Sequence, residues 1–197
     1  MPSIAFKCCI FAHHIALIML SALDIIYKYY PAHDALRRLL ILHSRQVADM
    51  ALEVAHRHPE LHLDEAFIER AAMLHDLGIF QTNAPGIHCH GDAPYLLHGR
   101  LGAEIMRTEG DEAVARVCER HTGTGLTAEA IRRQNLPLPP GDYTPQTMEE
   151  KVICYADKFF SKSHPEQRRD VEQTLKSLSK FGPEGLEIFK AWHQIFG

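Results

Sequence analysis

Six residues of the types that bind transition metals are spread along this chain at intervals of 22 to 36 residues. Two of them are adjacent, as a His-Asp pair, and each of the others falls on the apolar face of a different predicted helix. Each interval is about the length of one helix and a turn, so antiparallel neighbouring helices would bring all six side chains to one level of a bundle. The six are His43, His75, Asp76, His98, His121 and Asp157.

This donor set indicates metal chemistry. An ionisable His-Asp pair on a buried face is costly unless something compensates it, and a metal ion would do so. Four imidazoles and two carboxylates suit one or two divalent transition-metal ions, Fe or Mn first, with Mg, Co, Ni or Zn as further candidates. Asp76 could bridge two ions together with a shared water, which the ions would activate as a nucleophile. Hydrogen-bonded core histidines are the alternative for any one of the six taken alone.

The motif His75-Asp76-Leu77-Gly78, within the order His, His-Asp, His, His, Asp, resembles the HD superfamily of metal-dependent phosphohydrolases, in its HDIG subgroup. Three further segments are similar to the family's other motifs, and the resemblance extends from Leu36 to Lys162. The full set is specific for the superfamily and a poor guide to the substrate. The three segments are His43-Ser44-x-x-Val47-Ala48, Leu97-His98-Gly99-x-x-Gly102-Ala103-Glu104 and Glu149-Glu150-Lys151-Val152-x-x-Tyr155-Ala156-Asp157.

The resemblance implies a ligand set and an activity. His98 and His121 would complete a second metal site, which Asp76 would bridge to the first. The implied activity is hydrolysis of a phosphate ester or anhydride of a small metabolite, a nucleotide first, by a metal-activated water. The ligands of the first metal would be His43, His75, Asp76 and Asp157.

Charge that develops on a phosphoryl group needs positive side chains near the metals. Lys158 directly follows a predicted ligand, so we expect it to act in catalysis together with Asp76. Consecutive side chains on a helix diverge by about 100°, and a solvent-facing Lys158 is therefore the alternative.

Two other functions fit the same pattern. Four histidines and two aspartates in this order also resemble the mixed-valent diiron oxygenases of the superfamily, so dioxygen activation is the alternative to hydrolysis. A ligand-sensing module with a degenerate site is a third interpretation, which the complete donor set disfavours. The sequence lacks the lysine that follows the His-Asp pair in bacterial diadenosine tetraphosphate hydrolases. It also lacks the Gly-Tyr-Pro motif of HD-GYP cyclic-di-GMP phosphodiesterases.

The elements that must position these residues are predicted to be helices. The periodicity is helical almost throughout, interrupted by a loop over residues 81–93 and a proline-rich loop over 136–145. We therefore predict an all-α fold, a single HD-domain helical bundle with a peripheral N-terminal helix. The predicted division is a peripheral segment over 1–30, the HD domain over 31–165, and C-terminal helices packed on it over 166–197.

Local signals place three helix starts. Asp64 is a typical N-cap, and another helix is expected to begin near Pro94. Thr147-x-x-Glu150 is typical of a capping box, in which each side chain bonds the other residue's backbone N–H.

Composition excludes several classes of protein. With 46% hydrophobic and 23% charged residues, the 197-residue chain is neither a disordered tail nor a multi-span membrane protein. Its net charge of −4 disfavours a dedicated nucleic-acid partner. Five cysteines without a C-x-x-C pair argue against a disulfide framework and favour the cytoplasm. We expect a small phosphorylated substrate and no membrane partner, with a homodimer as one option for the assembly.

The stretch from Cys8 to Leu23 carries no formally charged residue. It is shorter than the ~20 residues of a membrane span, and no clear cleavage site marks a signal peptide. We expect an extra helix packed on the domain, with export behind Lys7 or a true start at Met19 as alternatives. The predicted site residues all follow Met19, so we expect removal of the preceding residues to leave folding and metal-dependent activity intact.

Overall fold

The computed structural model describes residues 20–197, and nine α-helices make up most of that part of the chain. The all-α fold class is confirmed. Short 3-10 turns connect several of the helices. In chain order the helices are α1 (Ala22–Tyr29), α2 (Asp34–Arg57), α3 (Glu65–Leu74), α4 (His98–Thr108), α5 (Glu112–Arg120), α6 (Ala128–Arg133), α7 (Met148–Asp157), α8 (Val171–Leu178) and α9 (Pro183–Phe196).

The segment predicted as a plain loop over residues 81–93 contains a small sheet. β1 (Thr82–Ala84) pairs antiparallel with β2 (Cys89–His90) and parallel with β3 (Ala93–Pro94). Strands of two or three residues are too short to show an alternation of apolar and polar positions, so the sequence pattern does not mark them.

The predicted helix starts are confirmed where a side chain caps the helix. The Asp64 carboxylate accepts a backbone N–H at the start of α3, and the Thr147 hydroxyl does the same for α7. The helical run expected to begin near Pro94 starts as a 3-10 turn over residues 95–97, which leads directly into α4 at His98. His98 therefore stands at the very start of the α-helix.

Only half of the predicted capping box at Thr147 forms. The Thr147 hydroxyl accepts the Glu150 amide at 3.2 Å, but the Glu150 carboxylate accepts the Gln146 amide at 2.6 Å instead of returning to Thr147. The same carboxylate takes an Arg120 guanidinium N–H at 3.0 Å. Glu150 is buried, so its charge requires this partner, and the pair ties the end of α5 to the start of α7.

The core lies among α2, α3, α5 and α7, and α4 packs closely on α5. Leu40, Val47, Ala51 and Val54 follow one face of α2 and are fully buried. Burial of a Leu or Val side chain contributes about 1.5–3 kcal/mol, so this face alone anchors α2 firmly against its neighbours. The same helix carries His43 on its buried side.

The last part of the segment predicted as peripheral is packed into the bundle. Ile25, Ile26 and Tyr30 are buried, and the Tyr30 hydroxyl donates to the carbonyl of Leu77 at 2.7 Å. The predictions made for residues 1–19 lie outside the described part of the chain. Within the described part, no helix has the length and apolarity that crossing a bilayer requires.

At the other end of the chain, α9 packs against α7. The rings of Phe189 and Phe196 lie 5.2 and 5.5 Å from the Tyr155 ring, centre to centre. The Tyr155 hydroxyl bonds to His193 Nδ1 at 2.8 Å. This aromatic cluster fixes the end of α7 that carries Asp157. These contacts do not test the division at residues 30 and 165, which stays a prediction.

Candidate metal centre

Three of the predicted ligands stand where a helical turn ends. His75 and His121 directly follow α3 and α5, and His98 follows the 3-10 turn over residues 95–97. In each of them Nδ1 lies 2.6–2.7 Å from the backbone carbonyl oxygen three residues earlier. The last carbonyls of a helical turn have no partner within the helix, so an imidazole N–H can donate to them.

These bonds fix the tautomers of the three imidazoles. A carbonyl oxygen can only accept, so Nδ1 must carry the hydrogen. In the neutral ring, Nε2 then keeps a bare lone pair, which is the form that binds a metal. The three Nε2 atoms of His75, His98 and His121 all lie within 3.4 Å of an oxygen of Asp76.

Asp76 stands between two pairs of histidines. Its Oδ2 lies 2.9 Å from His75 Nε2 and 3.1 Å from His43 Nε2. Its Oδ1 lies 3.3 Å from His98 Nε2 and 3.4 Å from His121 Nε2. One carboxylate therefore offers a separate oxygen to each pair, as a bridging ligand would.

Asp157 completes the first of these groups. Its Oδ1 lies 3.0 Å from His43 Nε2 and 3.6 Å from His75 Nε2. The structure thus brings together all six residues predicted as ligands, in two sets that share Asp76. Within each set the donor atoms lie within 4.8 Å of one another. The sets are His43, His75, Asp76 and Asp157, and Asp76, His98 and His121.

The donor atoms of the first set fit a bound cation. Among the residues that the structure describes, Asp76 Oδ1, His43 Nε2 and His75 Nε2 have no partner in hydrogen-bond geometry, although all three are buried. Buried polar atoms in this condition cost free energy that a shared cation would recover. Imidazole nitrogens with carboxylate oxygens are a donor set for a divalent transition metal, and the residues present therefore fit such an ion.

The electrostatics differ between the two sets. Burial lowers the pKa of His98 to about 3 and also lowers that of His121, so these imidazoles are neutral. Burial disfavours the charged form of His75 as well, but Asp76 and Asp157 outweigh it and raise the pKa of His75 to about 9. The pKa values of both carboxyl groups lie well below their usual range, because the facing positive charges outweigh the effect of burial. The carboxylates are therefore ionised and ready to bind a cation.

Lys158, the lysine singled out in the sequence, is held by protein groups. Its Nζ lies 2.7 Å from Asp157 Oδ2 and donates to the His121 carbonyl at 3.2 Å. The ammonium faces the centre, so the solvent-facing alternative is wrong. Its contacts are with one carboxylate and one backbone carbonyl, which both limit its freedom to reach a phosphoryl group.

A second lysine, which the sequence patterns missed, is in direct contact with the centre. Lys162 forms an ion pair with Asp76 Oδ2 and also interacts with Tyr95, whose ring stacks on His98 at 4.7 Å between centroids. Burial raises the pKa of Tyr95 to about 12, so its phenol stays protonated. Lys162 follows the end of α7, where no helical period shows which way a side chain points.

Near the candidate metal centre, glycines allow the backbone of α4 to approach its neighbours closely. A Cβ on Gly78 would lie 2.3 Å from the His98 carbonyl oxygen, and one on Gly99 would lie 2.4 Å from the Cys118 carbonyl oxygen. That Cys118 oxygen is also the acceptor for His121 Nδ1. The close approach of the backbones therefore sets the relative positions of His98 and His121.

The family model of the HD domain matches residues 40–161, which is more than half of the chain and includes all six ligand candidates. The chain therefore belongs to the HD domain family. The HDIG subgroup stays a prediction.

Three curated relatives are similar to the chain. It is 32% identical over 163 residues to a tRNA (cytidine(56)-2'-O)-methyltransferase of Thermoplasma volcanium and 34% identical over 143 residues to one of Picrophilus torridus. These matches cover 82% and 68% of this chain but 41% and 38% of the relatives, so the chain spans about two fifths of their length. The uncharacterized protein MJ0778 of Methanocaldococcus jannaschii is 33% identical over 144 residues, 72% of this chain and 76% of that protein.

Among solved structures, the HD domain of the L. monocytogenes phosphodiesterase PgpH aligns with this chain. The alignment has a TM-score of 0.49 and 16% sequence identity, and it covers 87% of this chain and 94% of that one.

Proposed function

We propose that this protein is a metal-dependent phosphohydrolase that cleaves a phosphate ester or anhydride of a small metabolite, with nucleotides as the first substrate class and the cytoplasm as its location. The observation that carries the proposal is the placement of Asp76, which turns one oxygen to His43 and His75 and the other to His98 and His121. This arrangement suits two ions about one carboxylate, and Fe or Mn are the first candidates.

A bound pair of metals supplies a water of lowered pKa and a Lewis acid for a phosphoryl oxygen. The protein contributes the positions of the donors. The backbone carbonyls orient three imidazoles, and Lys158 fixes Asp157 through Oδ2 so that Oδ1 stays turned to the histidines. In the reaction, the oxygen of a water would form a bond to phosphorus while the bond from phosphorus to the leaving oxygen breaks, and a proton of that water would end on the leaving oxygen. Lys162, in contact with Asp76 Oδ2, would add positive charge beside the donor set.

Two buried ammonium groups beside the donor set favour an anionic substrate. The same ligands would also suit a diiron oxygenase, and activity is what separates the two. Two relatives are named tRNA methyltransferases, but this chain spans only about two fifths of their length.

The test is a substrate screen of the purified protein loaded with Mn²⁺ or Fe²⁺. We expect phosphate or nucleotide release from at least one member of a panel of nucleotides and phosphodiesters, and no release by the Asp76→Asn variant. Oxygen uptake with an organic substrate and no cleavage of any phosphate bond would replace this proposal with the oxygenase.

A further inference from the structure

The two lysines of the centre pair with different kinds of carboxylate oxygen: one faces the histidines and the other does not. Lys158 contacts Asp157 Oδ2 at 2.7 Å, while Oδ1 of the same carboxylate lies 3.0 Å from His43 Nε2. Lys158 therefore leaves the oxygen beside the histidines free. Lys162 contacts Asp76 Oδ2, which is itself the oxygen beside His43 Nε2 and His75 Nε2.

A metal ion in the first set would need that same oxygen. Asp76 belongs to the first set, in which the donor atoms lie within 4.8 Å of one another. Oδ2 is the Asp76 oxygen that faces His43 Nε2 and His75 Nε2. Two cations that share one carboxylate oxygen repel each other strongly where little water screens them. Contact of Lys162 with Asp76 Oδ2 and occupation of the first site by a metal are therefore competing arrangements. Lys158 takes no part in this competition.

Lys162 and Lys158 differ in the segments that carry them and in their second contacts. Lys162 lies beyond the end of α7, in the irregular segment that leads to α8. Its second neighbour is Tyr95, a partly exposed side chain beside His98. Lys158 is instead tied to the His121 carbonyl at 3.2 Å. A displaced Lys162 ammonium would thus stay next to the centre, on the side of Tyr95.

We propose that Lys162 competes with the first metal ion for Asp76 and that, once displaced, its ammonium binds the anionic group of the substrate. This inference rests on the proposed function, since it assigns a residue to recognition of the phosphoryl group. The lysine serves two purposes in turn. It neutralises Asp76 when that carboxylate has no other cation, and it recognises the phosphoryl group when the metal takes its place.

Metal affinity gives the first test. Mn²⁺ is titrated calorimetrically into the parent protein, Lys162→Met and the control Lys176→Met, which removes an exposed charge on α8. When Lys162 occupies Asp76 most of the time, only a fraction of the molecules can bind the first Mn²⁺, and the apparent Mn²⁺ affinity is reduced by that fraction. Lys162→Met removes this competition and should therefore bind the first Mn²⁺ about tenfold more tightly. Lys176→Met should bind as the parent does. Unchanged or weaker binding by Lys162→Met overturns the proposal.

Anion affinity gives the second test. Inorganic phosphate is titrated into the Mn²⁺-loaded proteins, and Lys162→Met should bind it about tenfold more weakly than the parent, because a charged hydrogen bond is lost. Equal phosphate affinity overturns the proposal. If Lys162→Met does not fold, Lys162→Gln, which is also neutral but polar, should show the same two shifts.

Neither titration depends on turnover, so the experiments can refute the proposed function and the role of Lys162 independently of each other. Both shifts without any phosphohydrolase activity would refute the proposed function and keep the role of Lys162 in metal and anion binding. Phosphohydrolase activity without the shifts would refute the role of Lys162 alone.

Discussion

The Nε2 atoms of His98 and His121 lie 3.0 Å apart, and a bond from Nδ1 to a backbone carbonyl holds each ring in this orientation. Since both Nδ1 atoms carry the hydrogen, two bare lone pairs face each other when the rings are neutral. Burial lowers the pKa of both residues, so protonation does not relieve the contact near neutral pH. A cation held by His98, His121 and Asp76 would make the arrangement favourable.

Replacement of His98 or His121 by Ala should therefore remove one metal and leave the other. We expect elemental analysis of the protein loaded with excess Mn²⁺ to fall from two ions per chain to one. Loss of the electrostatic stabilisation from one ion should reduce turnover by ~100-fold or more. His164→Ala, which changes an exposed imidazole, is the control. Two ions per chain in both single variants would disprove the assignment of the second site.

A methyl group on Gly99 should disturb the same site through the backbone. The added Cβ would lie 2.4 Å from the Cys118 carbonyl oxygen, which is the acceptor for His121 Nδ1. We expect Gly99→Ala to lose about 1–3 kcal/mol of unfolding free energy from overpacking, and to bind the second Mn²⁺ more weakly. Urea denaturation and metal analysis measure the two effects.

Gly86→Ala is the matched control for this substitution. A Cβ there would meet no atom of the described chain within 4 Å, and the residue does not have a positive φ. Its stability and metal content should equal those of the parent. Equal behaviour of the two Ala variants would show that the close approach at Gly99 does not position His121.

The contact of α1 with the bundle should depend on pH through Glu109. This carboxylate pairs with Lys28 Nζ at 2.7 Å and accepts the Tyr29 hydroxyl, and these two partners hold its pKa below the usual value of 4.5. A carboxyl group whose pKa is lower in the folded than in the unfolded protein stabilises the folded state fully at pH values above its unfolded pKa. This stabilisation is lost as the pH falls through the folded pKa. The contribution of Glu109 should therefore be complete near neutral pH and vanish in acid.

Glu109→Gln should accordingly be less stable than the parent by about 1 kcal/mol or less at pH 7, as is usual for a partly exposed ion pair. The difference should shrink as the pH is lowered through 4.5. Denaturation curves at several pH values measure it, with the exposed Glu166→Gln as the control. A difference that stays constant with pH would mean that the substitution acts through packing and not through the carboxylate charge.

The sequence predicts that the six candidate ligands converge, because several of them stand on or directly after an element with a clear period. His43 lies on the buried face of α2, and the patterns before His75 and His121 end where α3 and α5 end. The helical period thus indicates both that these side chains point inward and that they reach a common level. The bridging role of Asp76 stays a prediction, and its two carboxylate oxygens each face one histidine pair.

Sequence reasoning missed residues whose positions depend on tertiary contacts, because such contacts leave no periodic pattern in the sequence. Lys162 lies in an irregular segment, and its approach to Asp76 depends on how the chain turns after α7. Tyr95 lies in a 3-10 turn inside a stretch predicted to begin a helix. The contact of Gly99 with Cys118 joins two helices, and a glycine within a helical pattern does not show which neighbour it faces.

Lys158 should act on metal binding in the direction opposite to Lys162. Its ammonium fixes Asp157 Oδ2 and the His121 carbonyl, so it orients one ligand and the backbone of another. Partners of metal ligands typically contribute 10–100-fold to metal affinity, so Lys158→Met should bind the first Mn²⁺ more weakly by about that factor. Lys158→Arg keeps the charge and should recover part of the loss.

The alternative, direct contact of Lys158 with the phosphoryl group, predicts reduced turnover with unchanged Mn²⁺ affinity. Calorimetric titration of Mn²⁺ into the two variants and the parent distinguishes these outcomes, because a positioning lysine changes metal affinity even in the absence of any substrate.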